Sequence, residues 1–335
     1  MINIAVIGAG YWGPNLVRNF SNTKGARVVT VCDLSEDRLQ RIGGVYPSVK
    51  LEKYFDAVLK DENVHAVAIA TPVRTHYALA KAALEAGKHV LLEKPMAESS
   101  AEAKTLMELA QKLNRVLLVD HTFIYMGAVR KLKNLIESGE LGEINYYDSM
   151  RVNLGLFQSD INVAWDLAVH DISILYYLLP ERPIGVSATG KSHVSGQPEN
   201  VVFITLFYPN SMIAHINVNW LSPVKIRQTL IAGTKRMVVF DDLHASEKIK
   251  IYDSGISVKD IEDVNQARVE YRIGDILIPT YPRTEALAVE AAHFISCIKG
   301  EEKPCTGAKL GYDIVKLLEA AEKSLKTSGN YVEVK

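Results

Sequence analysis

The chain opens with Ile2-Asn3-Ile4-Ala5-Val6-Ile7 and runs straight into Gly8-Ala9-Gly10-Tyr11-Trp12-Gly13. A short apolar run, then G-x-G-x-x-G, then helical periodicity through Asn15-Leu16-Val17-Arg18-Asn19-Phe20 is the start of a dinucleotide-binding βαβ unit. Gly8 permits the tight turn, Gly10 lets backbone approach a pyrophosphate, and Gly13 lets the helix pack closely on the strand. The helix N-terminus presents free N–H groups and a partial positive charge to the phosphates. Tyr11 and Trp12 share that loop and are expected at the cofactor. The next strand, Arg27 to Cys32, ends at Asp33, about 20 residues past the glycines, where a carboxylate binds ribose hydroxyls. Its charge repels a 2′-phosphate and Leu34 beside it supplies no cation, so NAD is expected ahead of NADP. An S-adenosylmethionine methyltransferase can share this turn and acid, but it has no need of the lysine described next.

The alternation continues with a short helical segment over 53–60, a strand over 65–70 ending at Thr71-Pro72, and an amphipathic helix from Thr75 stopped by Gly87. Then comes His89-Val90-Leu91-Leu92-Glu93-Lys94-Pro95, an apolar run that reads as a buried parallel strand and stops on two charges and a proline. Ligands gather at the carboxyl ends of such strands. Thr71, Pro72, Glu93 and Lys94 are therefore expected at one crevice, with Pro95 setting the turn that aims the lysine. A helix over 99–113 and a strand over 116–119 complete a doubly wound parallel sheet. His76 begins the helix after Thr71-Pro72, where its ring either reaches the cofactor or simply fills the first turn. His121 and Tyr125, just past the last strand, are expected on the nicotinamide side.

After Asp120 the pattern changes, and domains over 1–121 and 122–335 are expected. A helix over 127–138, a strand over 146–153, a mostly β stretch over 184–272 and helices over 283–299 and 310–326 suggest an α+β domain. Its sheet should be large, open and mostly antiparallel, with a hairpin of strands 201–208 and 212–220. Helices would cover one face. The other would pair with another subunit, because a broad apolar face is rarely left wet. Between them stands Asn162-Val163-Ala164-Trp165-Asp166-Leu167-Ala168-Val169-His170-Asp171. On a helix Asp166 and His170 are four apart and share a face. A carboxylate beside an imidazole orients the ring and favours its charged form, and an imidazole titrating near neutrality can take a proton from a hydroxyl. Taken alone, the pair reads as a capping aspartate and a satisfied histidine. Asp171 is expected to solvate the helix face, Tyr176 and Tyr177 to pack, and Arg151 and Asn153 to contact substrate.

Bulk composition removes other classes. With 48% hydrophobic and 23% charged residues over 335 positions and a net charge of −1, neither nucleic acid nor a membrane surface is favoured electrostatically. No apolar run approaches the roughly 20 residues of a membrane span. The start has no signal-peptide pattern, and Cys32, Cys297 and Cys305 have no metal-ligand spacing. A cytoplasmic protein without a bound metal is expected.

The glycine turn, Thr71-Pro72, Glu93-Lys94-Pro95 and Asp166-x-x-x-His170 together resemble the Gfo/Idh/MocA family of oxidoreductases, in order and over nearly the whole chain. The resemblance implies a Rossmann domain, an α+β domain with an open sheet, a dimer or tetramer formed through that sheet, Lys94 and His170 as catalytic residues, and Asp166 as their assistant. Tyr11 to Asn15, Arg151 to Gly155 and Trp165 to Ala168 look like the branch acting on nucleotide-linked amino sugars, which oxidises C3 of UDP-N-acetylglucosamine or its uronic acid. The broader family often has glycine where Val163, Ala164 and Ala168 stand here, which separates the chain from inositol and free-sugar members. The competing expectations are a keto-sugar reductase, a polyol dehydrogenase, and a non-catalytic NAD-responsive binding protein on the same fold.

Overall fold

In the computed structural model, which describes residues 1–155, 161–258 and 269–334, strand and helix alternate from the second residue onward. Strands β1 (Ile2–Ile7), β2 (Ala26–Cys32), β3 (Lys50–Glu52), β4 (Ala66–Ile69), β5 (His89–Glu93) and β6 (Leu117–Asp120) form one sheet in the order β3-β2-β1-β4-β5-β6. Every pairing in it is parallel. Helices α1 (Gly13–Asn22), α2 (Glu36–Val45), α3 (Phe55–Lys60), α4 (His76–Glu85) and α5 (Ser100–Lys112) connect the strands. All four residues of β4 are buried, as a strand covered on both faces requires. The strand order reverses between β1 and β4, and the carboxyl ends of the strands flanking that point are where such sheets bind ligands.

The second architecture begins at α6 (Gly127–Glu137) and β7 (Ile144–Leu154). A single π-helical turn, Ala164–Ala168, leads into α7 (Val169–Leu178). Then follow β8 (Gly185–Lys191), β9 (Val201–Phe207), β10 (Ile213–Asn219), β11 (Leu221–Gly233), β12 (Met237–Asp241), β13 (Ile249–Tyr252), β14 (Gly255–Val258), β15 (Val269–Arg272) and β16 (Ile276–Leu277). Helices α8 (Ala286–Ile298) and α9 (Ala308–Lys326) and the short β17 (Val332–Glu333) end the chain. The main sheet has nine strands in the order β16-β13-β12-β11-β7-β10-β9-β8-β17, and β14 pairs with β15 apart from it. It is antiparallel except where β7 lies parallel to β10. Part of the stretch read as β, residues 259–268, lies outside the described residues.

By contacts the chain divides into Met1–Met126 with Thr284–Glu319, and Gly127–Arg283 with Ala320–Lys335. The first unit thus reclaims a C-terminal segment that chain order alone places with the second. The reason is packing: Phe294 meets Phe20 edge-on at 6.1 Å between ring centroids, and Leu287, Ala291 and Ile295 of α8 join the same core. At the start of that segment Glu285 pairs with Arg18 of α1 at 2.6 Å.

Candidate active site

The glycine turn is held by steric necessity. Gly8 adopts φ +93°, and a Cβ there would lie 2.5 Å from the Ala70 carbonyl oxygen. A Cβ on Gly13 would stand 2.0 Å from the Gly8 carbonyl oxygen. At Gly10 the nearest protein atom to such a Cβ is Arg38 Nη1, at 3.8 Å, so the space above this residue is open to a ligand backbone. No side chain caps the start of α1, and the positive end of that helix opens beside Tyr11, 90% exposed, and Trp12, 40% exposed. Asp33 ends β2 and ties the loop together. Its Oδ2 accepts from Ala9 N at 2.6 Å and its Oδ1 from Ser35 N at 2.8 Å. A carboxylate has about four lone-pair positions, so acceptor capacity remains for ribose hydroxyls. These features fit a dinucleotide: open backbone at Gly10 and the positive end of α1 for the pyrophosphate, an acid at the ribose. Sequence reading missed Arg38, one turn into α2, whose guanidinium stands 3.6 Å from Asp33 Oδ2. Five residues separate the two, a spacing that carried no signal until α2 was known.

The next strand ends supply the reactive side. Val90, Leu91 and Leu92 are fully buried in β5, and the strand stops at Glu93 with Lys94 half-buried beyond it. The Lys94–Pro95 peptide bond is cis. Glu93 Oε2 accepts the Lys94 main-chain N–H at 2.9 Å. Burial, and then the neighbouring Asp120, raise the Glu93 carboxyl well above its ordinary range. Glu93 is therefore a brace beneath Lys94.

His76 does stand in the first turn of α4, and its ring is engaged on both sides. It is 1% exposed, with Nδ1 2.8 Å from the Pro95 carbonyl and Nε2 2.8 Å from the Thr71 carbonyl. The ring links the two loops that carry Thr71-Pro72 and Lys94-Pro95. Burial and the charge of Lys94 lower its pKa against the opposing pull of those carbonyls. A neutral ring donates to one of them at a time. Thr71 Oγ1 meets Thr75 Oγ1 at 2.7 Å, which closes the same turn. His121 is also 1% exposed, and burial together with Lys94 brings it down to about 3.

In the second unit, Asn162 Oδ1 caps the helix by accepting from Ala164 N at 3.0 Å and Trp165 N at 3.3 Å. From Asn162 through Tyr176 every residue is buried except Asp166 and His170. The two polar side chains proposed to act together are thus the two that reach the surface of an otherwise buried segment. A π-turn lies between Asn162 and His170 where an α-helix was expected, and such turns are frequent at functional sites. Asp166 Oδ2 accepts from Trp220 Nε1 at 3.1 Å, an orienting partner 54 residues away that sequence reading did not identify. Gly155 permits that tryptophan to sit there, since a Cβ would fall 2.3 Å from its ring.

Three expectations fail on burial. Arg151 is 3% exposed and forms a two-pronged pair with Asp171, Nε to Oδ2 at 2.8 Å and Nη2 to Oδ1 at 3.2 Å. It fastens α7 to β7 and has no route to a substrate. Asp171, expected to solvate the helix face, is 2% exposed and is the other half of this buried pair. Tyr125 is 1% exposed, and its hydroxyl lies 2.9 Å from both His293 Nδ1 and Thr306 Oγ1 inside the first unit. Asn153, near the end of β7, is half-buried.

Among the described residues no group of three or more His, Cys, Asp or Glu side chains is arranged to hold a metal ion, and no helix is long and apolar enough to cross a membrane. Residues 2–121 match the model of an oxidoreductase family with an NAD-binding Rossmann fold, and residues 129–239 match the GFO/IDH/MocA C-terminal domain. The chain is 34% identical over 149 residues to the uncharacterized oxidoreductase YdgJ of Escherichia coli (strain K12), covering 44% of this chain and 42% of that protein. It is 27% identical over 298 residues to UDP-N-acetylglucosamine 3-dehydrogenase of Acidithiobacillus ferrooxidans, covering 88% of this chain and 87% of the relative. The solved structure of an aldose-aldose oxidoreductase from Caulobacter crescentus superposes with a TM-score of 0.84 over 99% of both chains at 18% identity, a likeness of fold.

Proposed function

The chain belongs to the Gfo/Idh/MocA family of NAD-binding oxidoreductases, and on that premise we propose that it oxidises the C3 hydroxyl of a nucleotide-linked amino sugar, such as UDP-N-acetylglucosamine or its uronic acid, to the ketone. The observation carrying the chemistry is that Asp166 and His170 alone are only half-buried within an otherwise buried helical segment. His170 takes the hydroxyl proton. Asp166, held by Trp220, keeps the imidazole oriented and stabilises its charge. The Lys94 side chain donates a hydrogen bond to the developing alkoxide. The Gly8 to Gly13 turn and Asp33 would hold NAD, which would supply the hydride acceptor. The substrate class follows a relative 27% identical over 88% of this chain.

The test is turnover of a nucleotide-sugar panel by wild type, His170→Asn and Lys94→Ala. His170→Asn lowers turnover by about 10²–10⁴-fold, the range for a positioned base, with NAD affinity unchanged. Lys94→Ala lowers it further. Wild-type turnover in either variant contradicts the assignment. A second copy of the chain is the proposed cover for the outer face of the large sheet, where Tyr146, Met150, Phe203 and Ile213 stand 36–44% exposed.

A further inference from the structure

Three carboxyl groups lie together inside the first unit, and the reaction as described uses none of them directly. Glu93 is 8% exposed, Asp120 4% and Glu290 0%. Neighbouring strands β5 and β6 set Glu93 opposite Asp120. Helix α8 brings the Glu290 carboxyl beside that of Asp120. The Thr122 hydroxyl donates to Asp120, and the Lys94 main chain donates to Glu93. Among the described residues, neither oxygen of Glu290 receives a hydrogen bond from an N–H or O–H group.

Two carboxyl groups bond to each other only when one carries a proton, because two ionised ones repel. Three ionised carboxylates side by side in a site closed to water would be prohibitive. Burial is the main cause that lifts both Glu93 and Glu290 well above the ordinary carboxylate range, and Asp120 is the second for each. The other titratable groups facing Glu290 are Cys305 and Tyr125, whose hydroxyl is engaged by His293 and Thr306. Lys94 faces the cluster through Glu93.

We propose that Glu290 is a positioning residue for Lys94: it carries a buried proton, donates it to Asp120, and thereby completes a chain Glu290–Asp120–Glu93 that ends on the Lys94 main chain and holds one net negative charge beneath it. Glu93 donates to Asp120 from the other side. The chain fixes the rotamer of Glu93, and Glu93 fixes the backbone from which Lys94 reaches out. Glu290 touches neither substrate nor cofactor. The inference deepens the proposed function, since it rests on Lys94 serving the reacting alcohol.

Infrared spectroscopy of the full-length protein tests the proton without turnover. Wild type retains a protonated-carboxyl carbonyl band at alkaline pH that shifts in heavy water, and Glu290→Gln removes part of it. Kinetics then tests the positioning. Glutamine keeps a donor to Asp120, so kcat falls by less than about tenfold, whereas Glu290→Leu leaves Asp120 short of a donor and lowers kcat by about 10- to 100-fold with KM for NAD unchanged. Absence of the band in wild type, or equal losses in the two variants, overturns the proposal. If Lys94→Ala turns over normally while the band and its loss in Glu290→Gln stand, the role of Lys94 fails and the shared proton survives. If Lys94→Ala is inactive and the band is absent, only the shared proton fails.

Discussion

His121 stays neutral in the folded protein to about pH 3, against 6.5 for an ordinary imidazole, because burial and the charge of Lys94 both oppose protonation. In the unfolded chain it takes up a proton as pH falls through its ordinary value. The unfolded state then binds more protons, so the stability this residue contributes is complete above 6.5 and is lost as pH falls toward about 3. His76, also lowered, acts with the same sign. Replacing His121 by Asn should flatten the acid side of the melting-temperature profile, and an unchanged profile would show that the ring is protonated or solvated in the native state. The raised carboxyls Glu93 and Glu290 act oppositely: their contribution is present below the ordinary carboxylate value and is lost as pH rises through their folded values. At this scale the glycines, Asp33 and Lys94 were legible because each follows a strand at a spacing the chain itself displays. The two carbonyl partners of His76, Arg38 beside Asp33, and Glu290 beside Asp120 were not, since each joins residues whose meeting depends on tertiary packing.

Between elements, the Arg151–Asp171 pair is the joint that fixes the helix bearing His170 to the middle of the large sheet. Both side chains are only 3% exposed, and Tyr147 adds a hydrogen bond from its hydroxyl to the Asp171 carbonyl at 3.3 Å. Removing one charge strands the other, which for buried pairs costs about 3–5 kcal/mol. Asp171→Asn should therefore lower unfolding stability in urea by that order, and the double change to Arg151→Met with Asp171→Leu should cost much less. Equal losses would mean that shape, not charge, holds the joint. The chain disclosed elements with a long period and hid the rest. Helix α2 was missed because Leu39 and Ile42 are its only buried residues and Gly43-Gly44 reads as a break. Strand β3 is three residues at a sheet edge. The start of strand β11 was hidden, because Pro223 argues against a strand. The strand starts at Leu221, and its register against β7 shifts between Leu221 and Ile226, a bulge that accommodates the proline. The π-turn ahead of α7 cannot be told from an α-turn by apolar spacing.

For the whole molecule, the broad plan was readable from alternation in the first part and serial strands in the second. The return of residues 284–319 to the first unit was not, because a helix in sequence does not say which core it will join; Phe294 on Phe20 decides that. Proposed pairing through the large sheet predicts that Phe203→Glu lowers the mass found by sedimentation velocity, and an unchanged mass would place the interface elsewhere. The proposed oxidation breaks the carbon–hydrogen bond at C3, and one labelled substrate reads it out. UDP-N-acetylglucosamine carrying deuterium at C3, incubated with the protein and NAD, should react more slowly than the unlabelled sugar and yield a 3-keto product with the deuterium recovered in the reduced nicotinamide. Product that still carries the label at C3, or a reduced cofactor without it, would contradict the account.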